Sequence, residues 1–436
     1  MKKIQTYLTV IALITLLISC KKNGEDLIDS TSNYPKPPAN YVKSNKLKGT
    51  LKGTLKQDST YYLVGSVVVN KTDTLAVQAG ANIIAQGNFN FTVYGTLLCL
   101  GTDTKQITFT TQDASKFTDL GTTGHWGGFL IDSTSKYIYI RYTHINFTGG
   151  PDSEGSSQAS FDVEGSQSFN GGAHIVFEDN WMFGGIDDGI HLAGDITVSI
   201  KRNVLQRLGG PDGETMNIKA GVKGDIAYNY IWSAANNGIK LETGKTVFSP
   251  QTKMNIFNNT IINSGWRKVG EATNSILIDK FAAANIYNNV LVGNHTGINI
   301  TTKADTINCK YGHNLIFAID DSLKNWRYSV KSFGKIQTTD VMGSGHTDCA
   351  SVFTNWDSGV LPNATTQDFN VPSLKTGSPA IGKGNTTSPF IYWVQISGPN
   401  GTADILNKDL GAYPKDGNGN KHLPVSKPVN ESCLII

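Results

Sequence analysis

Charged residues are scarce in this chain of 436 residues: they make up 17%, and 38 Lys and Arg face 35 Asp and Glu, for a net charge of +3. Nucleic-acid-binding proteins carry a basic excess that is missing here, so we expect no nucleic-acid partner. The scarcity of charge also excludes a coiled coil or helical bundle, which is rich in Glu, Lys and Arg. A hydrophobic content of 39% excludes disorder, because it is enough to form a packed core.

Cysteine is scarce too, with five widely spaced copies and no C-x-x-C pair. This spacing excludes the usual zinc motifs and a dense disulfide framework. Cys99 lies in an apolar strand pattern and is expected to be a small buried hydrophobe. The sequence leaves the disulfide state of Cys309, Cys349 and Cys433 open, including a bridge between the first two.

The N-terminus has the layout of an export signal. An apolar run over residues 7–18 follows two lysines and is too short for a stable transmembrane helix. The run ends in Leu17-Ile18-Ser19-Cys20, which resembles a bacterial lipobox. The resemblance implies that residues 1–19 are removed as a lipoprotein signal peptide and that Cys20 is lipidated. The alternative is a plain secretory peptide with an incidental cysteine.

The predicted lipid would anchor the protein in a membrane, because two or more acyl chains hold a protein stably. Residues 20–45 are polar and contain several prolines, and we expect them to form a flexible tether. The resemblance to Gram-negative surface lipoproteins implies the outer membrane as location, with the protein facing outward.

Asparagine is over-represented, with 38 copies, 15 of them between residues 203 and 299. One pattern recurs: an apolar residue, two others, Asn, one residue, then further apolar residues. Its asparagines lie 23, 26, 30, 30 and 25 residues apart. They are Asn180, Asn203, Asn229, Asn259, Asn289 and Asn314. Such a period indicates a repeat architecture in which one unit stacks on the next.

A short strand with apolar alternate residues follows each of the first five asparagines, as in Ile190-His191-Leu192 and Ile239-Lys240-Leu241. Each repeat therefore contains three short strands and forms one rung of a parallel β-solenoid, whose inward residues build a continuous core. Asn tolerates the left-handed backbone of a sharp bend. Its amide can also donate to one neighbouring rung and accept from the other.

These features resemble the asparagine ladders of right-handed parallel β-helix proteins, the pectate-lyase-like group. The resemblance implies an all-β fold with a right-handed parallel β-helix over residues 46–320, and long loops at 111–125, 148–172 and 243–253. Residues 321–436, where the period stops, are predicted to form a β-rich C-terminal cap. The fold alone names no activity, because it hosts lyases, hydrolases, adhesins and scaffolds.

One group of residues could carry chemistry. Asp187 and Asp188 precede His191, and a glycoside hydrolase needs one carboxyl as acid and another to activate water. Lys240 could join them as a cation or base of a lyase. The competing interpretation is structural: the two aspartates occupy the repeat position of Asn236-Asn237, where turn geometry favours Asp and Asn.

A second candidate is a surface formed by stacking. If Ile190 and Leu192 point inward, His191 points outward, because side chains alternate along a strand. The equivalent outward positions of the following rungs form what we call the outward ribbon: His191, Asn217, Lys219, Lys240, Glu242, Asp279 and Asn299. The ribbon could follow a sugar chain, or it could be an ordinary solvated sheet face.

The sequence therefore predicts an anchored surface lipoprotein that binds a polysaccharide or a surface protein without catalysis. The alternative is a polysaccharide lyase or glycoside hydrolase acting on an extracellular, acidic polysaccharide. No cofactor is required by either prediction. Calcium is the ion that Glu214, Glu242 and Asp279 would suit.

Overall fold

The computed structural model describes residues 36–118, 123–164, 173–210, 213–244, 250–268, 273–318, 336–354, 356, 372–387 and 405–425. The predicted signal peptide, Cys20, most of the tether and Cys433 lie outside these residues. Within the described residues, no helix has both the length and the apolar character needed to cross a membrane.

The described residues between 46 and 344 form a parallel β-solenoid of about ten turns, of the right-handed type. The prediction of an all-β fold built from stacked parallel strands is thereby confirmed. Consecutive strands fall into three columns, and a strand pairs with its counterparts one turn before and one turn after it.

The first column contains β2 (Gly53–Leu55), β4 (Thr74–Gln78), β7 (Thr96–Leu100), β10 (Tyr137–Arg141), β13 (Ala173–Glu178), β16 (Ile196–Lys201), β19 (Lys223–Ala227), β22 (Lys253–Phe257), β25 (Ala283–Tyr287) and β28 (Lys310–Gly312). The second contains β5 (Asn82–Ala85), β8 (Ile107–Thr111), β11 (Thr143–Thr148), β14 (Trp181–Gly185), β17 (Val204–Gln206), β20 (Tyr230–Trp232), β23 (Thr260–Ile262), β26 (Val290–Val292), β29 (Leu315–Ala318) and β30 (Val341–Ser344). The third contains β6 (Asn90–Val93), β9 (Gly128–Ile131), β12 (Phe161–Glu164), β15 (Ile190–Ala193), β18 (Met216–Lys219), β21 (Ile239–Leu241), β24 (Ile276–Ile278) and β27 (Ile298–Ile300). The strands β1 (Lys46–Thr50) and β3 (Thr60–Val69) join the second and third columns.

The core runs along the solenoid axis and is built from the inward residues of all three columns. Ile190, Leu192 and Cys99 belong to it and are almost fully buried. Full burial of one such aliphatic side chain contributes roughly 1.5–3 kcal/mol, so stacked rungs stabilise one another. Cys99, Cys309 and Cys349 are free thiols, so no bridge joins Cys309 to Cys349.

The ladder asparagines stand at the bend from the first to the second column. Asn229 is typical: its Oδ1 accepts the Asn203 backbone N–H at 3.0 Å, and its Nδ2 donates to the Ile200 carbonyl at 2.9 Å and to Asn259 Oδ1 at 3.0 Å. The left-handed backbone, however, lies one residue earlier, at Arg202 and Tyr228. The expectation that the ladder asparagine itself adopts this conformation is wrong. The residue before it adopts the left-handed backbone, and the side-chain amide of the asparagine forms hydrogen bonds to the neighbouring rungs.

Two predicted boundaries change. The expected loop over 148–172 contains β12, which pairs in register with β9 and β15. At the other end, the Val42 N–H donates to the Thr54 carbonyl at 2.9 Å. Thr54 Oγ1 also donates to the Pro38 carbonyl at 2.6 Å. The chain is thus bound to the solenoid before residue 45, which shortens the predicted tether.

The predicted C-terminal cap is not confirmed. The strand β30 and the helix α1 (Gly345–Val352) pack against β29 of the last turn. We call residues 405–425 the C-terminal segment. It lies along the outer face of the second column: the Trp181 indole N–H donates to the Leu423 carbonyl at 3.0 Å, and the Ala412 N–H donates to Thr260 Oγ1 at 2.9 Å.

Candidate binding face on the third column

The outward positions of the third column form a continuous line of side chains across successive rungs. Strand pairing sets them side by side, and the line from β12 to β27 reads Asp162, His191, Asn217, Lys240, Leu277 and Asn299. Rungs of this kind are spaced about 4.8 Å apart. Five of the six side chains are polar, and both signs of charge are present.

His191 lies near the start of this line and points away from the core. Its Nδ1 is 2.6 Å from Asp162 Oδ1, on the neighbouring strand β12. Burial alone would lower the pKa of His191, but the hydrogen bond and charge of Asp162 outweigh it and raise the pKa. The imidazole and carboxylate therefore form an ion pair on the open face, favoured at mildly acidic pH.

Asp188 lies at the turn that leads into β15 and is buried. Its Oδ1 accepts the Glu214 backbone N–H at 2.7 Å, and its Oδ2 accepts Asn217 Nδ2 at 2.8 Å. In the strand register, Asp188 and Glu214 occupy the position of Asn237, whose Oδ1 accepts the Asn274 backbone N–H in the same way. Asp188 thus belongs to a second, shorter ladder, as the structural interpretation of the sequence requires. Asp187 stands beside it and accepts the Asp188 N–H.

The second ladder carries two acids where other rungs carry amides. Asn217 Nδ2 donates to both of these carboxyl groups, at 2.8 Å to Asp188 Oδ2 and at 3.5 Å to Glu214 Oε2. Burial and the Glu214 carboxylate raise the pKa of Asp188 to about 7. Glu214 is held by donors on the other side, since its Oε1 lies 3.2 Å from Lys240 Nζ and accepts Asn237 Nδ2 at 3.3 Å. Asp188 therefore keeps its proton at acidic pH and loses it near pH 7.

Lys240 is the centre of an ion-pair chain. Its Nζ lies 3.1 Å from Glu242 Oε1, and Glu242 Oε2 in turn accepts Lys280 Nζ at 2.7 Å. Burial would lower the pKa of Lys240, but Glu214 and Glu242 raise it. Burial would raise the pKa of Glu242, but Lys280 and Lys240 lower it. Lys240 is therefore a cation at neutral pH, which does not fit the role of a lyase base.

The remaining ribbon residues are more loosely connected. Asp279 Oδ1 accepts the Thr301 hydroxyl at 2.5 Å, and Lys219 ends β18 in a half-buried position. Asn299 is half-buried on β27. Leu277 interrupts the polar line between Lys240 and Asn299. Glu214 and Glu242 bind the ammonium of Lys240 rather than leaving a common site for calcium with Asp279.

Sequence reasoning missed Asp162 and Glu164. Both point outward from β12 beside His191, and the three side chains have ligand atoms within 4.8 Å of one another. The signal was present in the alternation Phe161-Asp162-Val163-Glu164, which matches the other third-column strands. Neither a ladder asparagine nor a turn glycine directly precedes this segment. The repeat pattern therefore does not identify it as a strand, and the sequence predicts a loop.

No protein-family model matches the chain, and no curated protein is significantly similar to it in sequence.

Proposed function

We propose that this chain is a surface lipoprotein, anchored through Cys20, whose outward ribbon binds a polysaccharide without cleaving it. The observation that supports this proposal is the in-register line of polar side chains on the third column, which follows the solenoid axis over six rungs. A linear polymer laid along the axis would meet a partly exposed polar group at four of the six rungs: Asp162, His191, Lys240 and Asn299. The location at the outer membrane rests on the lipobox-like sequence.

The electrostatics favour binding over lyase chemistry. A lyase needs a neutral base and a cation free to neutralise a uronate carboxylate. The pKa of Lys240 is raised, and its charge is compensated by Glu214 and Glu242. A cross-linked network of this kind is rigid, and it presents fixed donors and acceptors at low entropic cost.

Binding can be tested with the purified full-length protein in detergent on an array of acidic and neutral polysaccharides. We expect at least one polymer to bind and Lys240→Ala to weaken that affinity about tenfold, which is about 1.4 kcal/mol. Lys223→Ala, which removes a half-buried lysine from the first column, serves as the matched control. A wild-type protein that binds no polymer, or equal effects of the two variants, would contradict the proposal. Binding of a surface protein alone would favour the partner-binding version.

The anchor has its own test. Cells grown with a labelled fatty acid should incorporate the label into the wild-type protein and not into Cys20→Ala. A variant that retains the label would show that Cys20 is not the lipidated residue, and would leave a plain secretory peptide as the explanation.

A glycoside hydrolase is the second candidate, favoured by one observation: Asp188 is a carboxyl group that keeps its proton near neutral pH beside the binding face. Hydrolases hold their two carboxyl groups roughly 5 Å or more apart to fit the sugar or a water. Asp188 and Glu214 are instead committed to structural contacts, since Asp188 Oδ1 accepts the Glu214 backbone N–H and both carboxyl groups accept Asn217 Nδ2. Binding is therefore preferred. Release of reducing ends that disappears in Asp188→Asn would reverse this preference.

A further inference from the structure

We propose that Asp162, Glu164 and His191 form a binding site for a divalent transition-metal ion at the N-terminal end of the outward ribbon. Asp162 and Glu164 lie two residues apart on β12 and therefore share its outward face. His191 sits directly opposite Asp162 on the adjacent strand β15. One ligand atom from each residue lies within 4.8 Å of the other two. Small side-chain rotations would bring all three around one ion.

A buried acceptor without a donor lies one strand away from this cluster. Asn217 is the next residue of the outward line after His191 and is 95% buried, with a relative exposure of 5%. Its Nδ2 is committed to Asp188. Among the described residues, no donor reaches its Oδ1. A buried acceptor without a donor is costly, so a bound group is expected there. Water on a metal ion would supply the donor.

The donor set selects the class of ion. Imidazole suits zinc, copper, iron and nickel, whereas carboxylates suit magnesium, calcium and manganese. A mixed set of one imidazole and two carboxylates favours first-row divalent ions such as Zn²⁺ or Mn²⁺ over Ca²⁺. Glu164 is exposed and Asp162 and His191 are half-buried, so the cluster is accessible from solvent. Three protein ligands leave at least one coordination position open for water or for an oxygen of a ligand.

The anionic surroundings support a cation here. The cluster itself brings two carboxylates, from Asp162 and Glu164. The opposing charge is Lys219, which acts on His191. In the metal-free protein, the His191–Asp162 hydrogen bond orients the ring toward the carboxylate. Metal binding replaces that hydrogen bond with one coordinate bond from each residue to the same ion, and the proton of the His191 imidazolium is released to solvent.

The test is direct metal binding, with no glycan present, so its outcome is independent of the proposed polysaccharide binding. Untagged full-length protein is freed of metal and titrated with Zn²⁺ by calorimetry, and in parallel with Mn²⁺ and Ca²⁺. We expect one Zn²⁺ per chain and weaker Ca²⁺ binding. His191→Ala and Glu164→Gln should each weaken the Zn²⁺ site at least tenfold. His346→Ala, at an exposed position on α1, is the control and should leave it unchanged.

A spectroscopic readout identifies the ligand. Co²⁺ substituted for Zn²⁺ should give a visible absorption band that changes in His191→Ala and not in His346→Ala. Thermal melting of the metal-free variants checks that they fold, and Glu164→Gln, at an exposed position, provides a variant whose fold is expected to be intact. A wild-type protein that binds neither Zn²⁺ nor Mn²⁺ would overturn the proposal. So would Zn²⁺ binding that survives unchanged in both His191→Ala and Glu164→Gln.

Discussion

The second and third columns of the solenoid bury similar inward residues, but their outer faces differ. The outer face of the second column is covered by other parts of the chain, and that of the third column is open. On the second column, Trp181, Val204 and Tyr230 point outward in register and are buried beneath residues that follow the last turn, such as Leu410 and Tyr413. On the third column, the matching positions carry His191 and Lys240 and are partly exposed. One strand pattern therefore produces both a structural face and an open face. The type of residue at the outward position, rather than the alternation, separates them.

The largest effect is expected from truncating the covered face. Trp232 is 2% exposed and packs with the apolar cluster under the C-terminal segment. Trp232→Ala should lower the free energy of unfolding by about 3–5 kcal/mol, because a buried aromatic ring leaves a cavity. Leu277→Ala, at the half-buried outward position of β24, should cost much less. Urea denaturation measures the loss of unfolding free energy in both variants. Equal losses would show that the two faces contribute equally to stability.

A buried ion network fastens the C-terminal segment to the solenoid and gives the next largest effect. Asp179 lies 2.6 Å from Arg141 Nη2, 2.8 Å from Arg202 Nε and 3.0 Å from His422 Nε2. Asp179→Asn suits the left-handed backbone at this position but removes the charge. We expect a loss of about 3 kcal/mol, because it leaves buried cations undercompensated.

The control for that network is Asp103→Ala, at an exposed aspartate near the first column. It should change the urea midpoint very little. Faster proteolysis of the C-terminal segment in Asp179→Asn than in Asp103→Ala would locate the damage at the covered face. Identical stability of the two variants would mean that the network does not hold the segment.

Much of the fold could be predicted from the sequence because equivalent positions of successive repeats carry the same types of residue. The apolar pairs around His191 gave its outward orientation, and the spacing of the ladder asparagines gave the rungs. The covered face was not predicted, although its signal was present: Tyr230-Ile231-Trp232 is apolar without alternation, which indicates burial on both sides. The partner of that face is more than 170 residues away along the chain, as the contact between the Tyr230 and Tyr413 rings shows. Periodicity carries no information on such a contact.

The candidate site could also be predicted only in part. The ribbon residues could be located because alternation fixes which side chains share a face. Their chemistry could not, since it depends on neighbours one rung away. The pKa of Asp188 is raised by Glu214, 26 residues later, and the pKa of His191 is raised by Asp162, 29 residues earlier.

A pH effect should arise on the open face. The pKa of Asp188 is about 7 in the folded protein, against a model-peptide value of 3.8. The folded state therefore binds this proton more tightly, and the stability it contributes is present at acidic pH and lost as the pH rises through 7. Asp188→Asn should remove this dependence, on the order of 4 kcal/mol between pH 4 and 8. The other residues stay unchanged in this variant, so the difference between the two pH profiles reports on Asp188. Parallel pH profiles for wild type and variant would refute the assignment.

The smallest effect is expected at the far end of the ion-pair chain. Lys280 is partly exposed, with a side-chain exposure of 35%, and donates to Glu242 at 2.7 Å. Lys280→Gln should cost about 0.2–1 kcal/mol, since solvent screens a pair at the surface. It should nevertheless weaken polysaccharide binding, because Glu242 would then depend on Lys240 alone and draw that ammonium away from the ligand. Chemical denaturation and array binding measure the two quantities on one sample. A variant that loses stability but keeps its affinity would show that the open face, like the covered one, is only structural.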